Sequence, residues 1–268
     1  MGNIIVSNDF ITVASAGITV QSTAAGFDKS NVFNYANLKR RWRMDSDDKS
    51  ATNPIMSFDL GAASTVVAVA LDDINFNRVI IKGHASDLTT DWTSATFSQT
   101  FASSFFAADS HTGRYKAYLN LNSFNYRYMA LILDTSTGKV GSYQTKWEIG
   151  RVGILDSVYT FQKNMGRKYR RGAVQPFTEI VLKNGHRERN ADGDIQWIGT
   201  LDFDSRPLSD EVDLTTLNNY DISETLLFYE NGGDYSKVYF CLRENDYIGT
   251  FEADGVLSGA SIQLRERV

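Results

Sequence analysis

One cysteine and three prolines in 268 residues close off several architectures. With Cys241 alone, no internal disulfide can staple the fold, and nothing in the chain calls for an oxidising compartment. Three prolines leave no polyproline or low-complexity linker. No apolar run approaches the ~20 residues that cross a bilayer; the nearest, STVVAVAL at 64–71, is strand-sized. The first residues, MGNIIVSNDFITVASAG, lack the basic start of a secretory leader, and Asn8 and Asp9 interrupt its apolar region, so neither membrane insertion nor export by that route is expected. Excess positive charge is missing too. Lys and Arg number 27 against 32 Asp and Glu, a formal net charge of -5, so a surface built for generic phosphate binding is excluded and nucleic acid is not an expected partner. The three histidines, His84, His111 and His186, share no spacing that would define a zinc site. Neither H-E-x-x-H, G-x-S-x-G, a P-loop nor G-x-G-x-x-G is present. The loop DSDDKSATN offers oxygen atoms but not the glycine and closing glutamate of a calcium loop. Paired acids such as Asp72-Asp73 and Asp202-Asp204 arise by chance among 32 carboxylates. No catalytic residue, metal or cofactor is therefore expected.

What is present is core material, 42% hydrophobic and 12% aromatic, arranged with strand-like alternation. Turn dipeptides recur at 184–185, 192–193, 231–233 and 254–255. The clearest hairpin is TLLFYENGGDYSKVYFCLREN, two apolar runs around glycines that accept positive φ. One helix is predicted in RPLSDEVDLTTLNNYD, capped by Ser209 or Asp210, with Leu208, Val212, Leu214 and Leu217 on one face. The fold class is all-β, mainly antiparallel, with that one short helix.

Charge divides the chain. Residues 1–155 carry 14 basic and 13 acidic side chains, and residues 156–268 carry 13 and 19. At the change lies KNMGRKYRRG, 163–172. The expected organisation is a first domain at 1–156 and a smaller β-rich oligomerisation domain at 157–268. Arg167, Lys168, Tyr169, Arg170 and Arg171 could stack on bases and meet phosphates, but beside so acidic a region they suit the carboxylates of a neighbouring copy better.

In the first region, NVFNYANLKRRWR is followed by DLG at 59–61, a Val-rich strand, the stretch Ile81 to Trp92, NYRYMALILD and KWEIGRVGIL. In this order they resemble the discoidin, or coagulation factor 5/8 type C, family of galactose-binding-like jelly rolls, over roughly residues 30–155. The resemblance implies a jelly-roll β-sandwich, binding of sugars, lipids or proteins through loops at one end, and a tryptophan, Trp42, packed in the core where the chain enters its first long strand. No individual ligand residue of the family maps onto this sequence; Arg40, Arg43 and Asp45 are the candidate ligand loop on their own chemistry, since arginine beside tryptophan suits sugar hydroxyls and faces. The family's terminal disulfide has no counterpart here.

A cysteine-poor jelly roll followed by a compact β domain is similar to tail-tip proteins of tailed bacteriophages, of the distal-tail type. That resemblance implies a virion tail protein assembled in the host cytoplasm, a ring-forming homo-oligomer with other tail proteins and a host saccharide as partners. The alternative is a carbohydrate-binding module that attaches to cell-surface glycans.

Overall fold

The computed structural model describes residues 3–35, 40–109, 113–140, 146–161, 170–175, 177–181, 187–191, 195–202, 206–207, 211–231, 237–245, 250–251, 256–258 and 261–267. In chain order its strands are β1 (Ile5–Ser7), β2 (Ile18–Val20), β3 (Trp42–Arg43), β4 (Met56–Ile74), β5 (Val79–His84), β6 (Phe97–Phe101), β7 (Ala107–Ala108), β8 (Tyr115–Ile132), β9 (Glu148–Ile149), β10 (Arg151–Leu155) and β11 (Tyr159–Thr160). Then come β12 (Arg170–Val174), β13 (Phe177–Val181), β14 (Arg187–Ala191), β15 (Gln196–Asp202), β16 (Arg206–Pro207), helix α1 (Glu211–Asn219), β17 (Leu226–Tyr229), β18 (Val238–Arg243), β19 (Thr250–Phe251), β20 (Val256–Ser258) and β21 (Ser261–Glu266). The described pairings are antiparallel, and the described residues are mainly β with one short α-helix, as the turn pattern and the predicted helix anticipate.

Two compact units divide the chain. One comprises residues 1–160 and 227–238, the other 161–226 and 239–268. Residues 227–238, placed in the second region by their sequence position, thus return to the first. The reason is local: Leu227, Phe228 and Tyr229 pair with Ser7, Val6 and Ile5, and Tyr229 stacks on Tyr118 at 4.3 Å.

The first unit is built on two very long strands that change layer. Ile74 at the end of β4 pairs with Tyr115, while Ile80, six residues later, pairs with Ile132. A straight strand would separate Tyr115 and Ile132 by about 56 Å at ~3.3 Å per residue, and the link from 74 to 80 reaches at most about 21 Å. β8 must therefore fold back on itself. The bend falls over two successive slips of the ladder, one between Asp59 and Ser64 with Gly61 at φ 82°, the next between Val66 and Ala68 with Ser123 of β8 at φ 63°. Each long strand serves both layers of a sandwich: β10, the later part of β4 and the first half of β8 form one layer, and β2, the start of β4, the end of β8, β5 and β6 form the other. One core fills the space between them, with Phe58, Val69, Leu71, Ile81, Leu119, Phe124 and Leu131 among its members. The β3–β9 pair adds Trp42 and Ile149 to that core. Trp42 is fully buried and donates its indole N–H to Thr23 Oγ1 at 3.2 Å. A smaller cluster, Trp92 with Ala130 and Ile132, covers part of the second layer's outer face.

The second unit holds the sheet order β18-β21-β15-β12, a β13–β14 hairpin, the β16–β20–β19 ladder and α1. Trp197 stacks on Tyr239 at 4.1 Å, and Gly199 makes room for the indole, since an added Cβ would lie 2.3 Å from its ring. Arg243 is buried by donating to Asn218 Oδ1 at 2.6 Å and Tyr220 O at 2.9 Å. Cys241 is buried, as its apolar neighbours predict. Leu214 and Leu217 of α1 face the interior, but Val212 is 41% exposed, which corrects the expected helical face. Leu208 and the caps Ser209 and Asp210 lie outside the described residues. Among the described residues no helix is long and apolar enough to cross a membrane.

Candidate functional site

The basic loop that opens the first long strand is wired to the interior. Arg41 and Arg43 flank buried Trp42, so both side chains leave the core on the same side. There they converge on Glu148 of β9, which has no exposed side-chain surface. Arg41 donates to Glu148 Oε2 at 3.3 Å, Arg43 to Oε1, and Arg114 to Oε2 at 2.7 Å. Burial opposes ionisation of Glu148, yet Arg114 and Arg43 hold its pKa below the usual glutamate value. Arg114 also meets Asp73 Oδ1 at 2.5 Å, and Arg41 approaches Asp73 Oδ2 at 3.5 Å. Burial nevertheless pushes Asp73 up to about 6. Arg43 additionally lies over the Phe27 ring, 3.9 Å from its centroid. Asp45, exposed, pairs with Lys146 at 2.8 Å, and Asp47 pairs with Lys139. Arg40 is exposed and has no ion-pair partner among the described residues. Of the residues flagged as a ligand loop, two are engaged within the fold and one is open.

The paired acids Asp72 and Asp73 face different partners. Asp72 meets buried Arg151 at 2.6 Å and Lys116 at 3.5 Å, whereas Asp73 faces Arg114 and Arg41. Each carboxylate is matched by cations. At the junction, Arg170 and Arg171 are exposed on β12, while Arg167, Lys168 and Tyr169 lie outside the described residues. No group of three or more His, Cys, Asp or Glu among the described residues could hold a metal ion.

A second constellation escaped the sequence reading. At the sandwich corner Asp59 of β4, Tyr128 of β8 and His84 of β5 stand opposite one another across three adjacent strands. Directly opposed side chains on one face sit about 4.5–5.5 Å apart at Cβ. Arg127 closes the row with a two-pronged bond to Asp59, Nε to Oδ1 at 2.7 Å and Nη2 to Oδ2 at 2.8 Å, and lies 5.0 Å from the Tyr128 ring centroid. That hydrogen bonding holds the Asp59 carboxyl down at about 2. His84 Nδ1 lies 3.0 Å from both Ser86 N and Ser86 O, accepting from the first in one tautomer and donating to the second in the other, and Nε2 has no hydrogen-bond partner among the described residues. Arg127 is exposed, and Asp59, Tyr128 and His84 are half-buried. The row thus presents a carboxylate, a guanidinium, a phenol and an imidazole beside one aromatic face. It lies between the Gly61 corner and the loop after β5. Sequence reasoning set His84 aside as a scattered histidine; its position at the end of the alternating run VIIKGH was the available signal.

No protein-family model matches the chain, and no curated protein matches it. Among solved structures it is similar to the family 32 carbohydrate-binding module of NanJ from C. perfringens in complex with galactose, at 13% identity over 53% of this chain and 96% of that one, with a TM-score of 0.34. A second similar structure is the module CpGH89CBM32-4 from Clostridium perfringens, at 16% identity, 52% and 93% coverage and a TM-score of 0.31. A third is the lectin domain of lectinolysin complexed with Lewis B antigen, at 16% identity, 52% and 92% coverage and a TM-score of 0.30. Two of these neighbours are carbohydrate-binding modules and the third is a lectin domain.

Proposed function

We propose that the chain is a non-catalytic binding protein whose β-sandwich recognises a saccharide through Asp59, His84, Arg127 and Tyr128. The observation that carries this reading is the outward row itself. A sugar hydroxyl both donates and accepts, so its recognition needs donors and acceptors side by side, with an apolar or aromatic surface for the ring's C–H face. Here they are fixed in register by three paired strands, and the Asp59–Arg127 fork holds two of them before any ligand arrives. The fork is also internally neutral, so the row suits a neutral sugar. Calorimetric titration with galactose and with galactose-terminated oligosaccharides tests it. His84→Ala and Tyr128→Phe should each weaken binding about 5-fold or more, on the scale of one lost hydrogen bond, with unchanged melting temperature. Unaltered affinity in both variants would remove the row from the reading.

A second reading, a ring-forming tail-tip component of a virion, draws on one feature. Among the described residues β12 is an edge strand, all five of its residues are exposed, Val174 at 44%, and Phe177 at the start of β13 is 52% exposed. Such an edge is a template for pairing with another chain. Sedimentation at increasing concentration tests self-association, and a monomer at every concentration would withdraw it.

A further inference from the structure

The arginine cluster at the loop end has a composition that stability alone does not require, and we propose that it is a binding site for an oxyanion, a sulfate or carboxylate group, held by Arg41 and Arg43. Among the described residues three guanidiniums, from Arg41, Arg43 and Arg114, face two carboxylates, Asp73 and Glu148, in a chain of net charge -5. Of the neighbouring acids, Asp72 and Asp109 pair with Arg151 and Lys116, Asp45 with Lys146 and Asp47 with Lys139.

Two of these guanidiniums are accessible and fixed. The Arg41 and Arg43 side chains are 25% and 24% exposed, against 0% for Glu148 beneath them. Arg43 spends its Nε–H on Glu148, and its Nη hydrogens find no partner among the described residues. Phe27 supports the plane of that guanidinium at 3.9 Å. Arg114 is braced separately, with Nη2 donating to the backbone carbonyl of Asp73 at 2.8 Å. A buried carboxylate gripping two guanidiniums, each about a quarter exposed, holds both in a set geometry. The rotamer entropy that a flexible arginine loses on meeting an anion is thereby lost already in folding. A planar or tetrahedral oxyanion matches such a fork, whereas a monatomic anion cannot bridge it. The proposal does not depend on the saccharide row, which lies on other strands.

The test uses the whole chain and arginine side-chain NMR. Sodium sulfate, compared with sodium chloride at equal ionic strength, should give saturable shifts of the Arg41 and Arg43 Nε–H signals. Arg43→Gln and Arg43→Lys should both weaken the sulfate response about 5-fold or more, the lysine because it keeps charge but loses the fork. Arg40→Gln, the same change of net charge one step outside the cluster, should leave it within about 2-fold, as screened long-range charge effects allow. Galactose 6-sulfate is the second probe. Tighter binding than free sulfate would mean that the oxyanion is carried on a sugar, and equal binding that the free ion suffices. Chloride-like, unsaturable shifts would overturn the proposal. So would a loss in Arg40→Gln equal to that in Arg43→Gln, or equal shifts with uncharged galactose.

Discussion

Replacing Glu148 by glutamine removes one charge and almost no volume, so its effect isolates the electrostatics of the loop end. The side chain has no exposed surface and accepts from Arg41, Arg43 and Arg114. Breaking a buried ion pair costs roughly 3–5 kcal/mol, because the partner is left charged and poorly solvated. Here the partners are 15–25% exposed and regain part of their hydration, and Asp73 still faces two of them. The expected loss is therefore at the lower end, about 3 kcal/mol. In a unit of this size that corresponds to roughly 6–12 °C in melting temperature. The sign with pH is also set. The pKa of Glu148 is lower folded than unfolded, so its contribution is full above the unfolded value, near 4.5, and is lost as pH falls through the folded one. Urea unfolding between pH 3 and 7 should show the wild type losing stability on the acid side and Glu148→Gln losing less. A change under about 1 kcal/mol at pH 7, the size of a surface pair, would refute the claim that Glu148 anchors the arginines.

Trp42→Ala should cost about 3–5 kcal/mol in chemical denaturation, as large buried aromatics do; under about 1 kcal/mol would contradict its place in the core. Gly83→Ala should destabilise by about 1–3 kcal/mol through overpacking, because the new Cβ would stand 2.5 Å from Phe124 and 2.9 Å from Tyr126; a neutral result would mean that the corner aromatics yield freely. Asp73 has a pKa raised to about 6, so the folded state binds the extra proton between about pH 4 and 6 and stability attributable to it declines as pH rises through that window. Asp73→Asn should flatten that decline, and an unchanged slope would show that the carboxyl titrates normally.

Local chemistry made much of the fold legible. Strand-like alternation and turn dipeptides marked the chain as antiparallel β, the Leu214 and Leu217 spacing located α1, and the family resemblance placed the Trp42 indole inward. What stayed hidden depends on distance along the chain. Nothing in KWEIG marks Glu148 as the anchor for an arginine 105 residues earlier. The bend of β4 and β8 follows from paired bulges and from a short link between strands, which only a known register reveals. The same register assembles Asp59, Tyr128 and His84, three residues unremarkable where each stands in the sequence. Residues 227–238 read as part of a late hairpin, and their return to the first unit comes from pairing with β1 at the other end of the chain.

The most direct test of the central claim is calorimetric titration of the wild-type chain and of His84→Ala with a galactose-terminated oligosaccharide. The account predicts measurable one-site binding by the wild type, weakened about 5-fold or more in a variant that melts at the same temperature. Equal affinity in the two proteins, or no binding by the wild type across neutral galactose-terminated sugars, would contradict it.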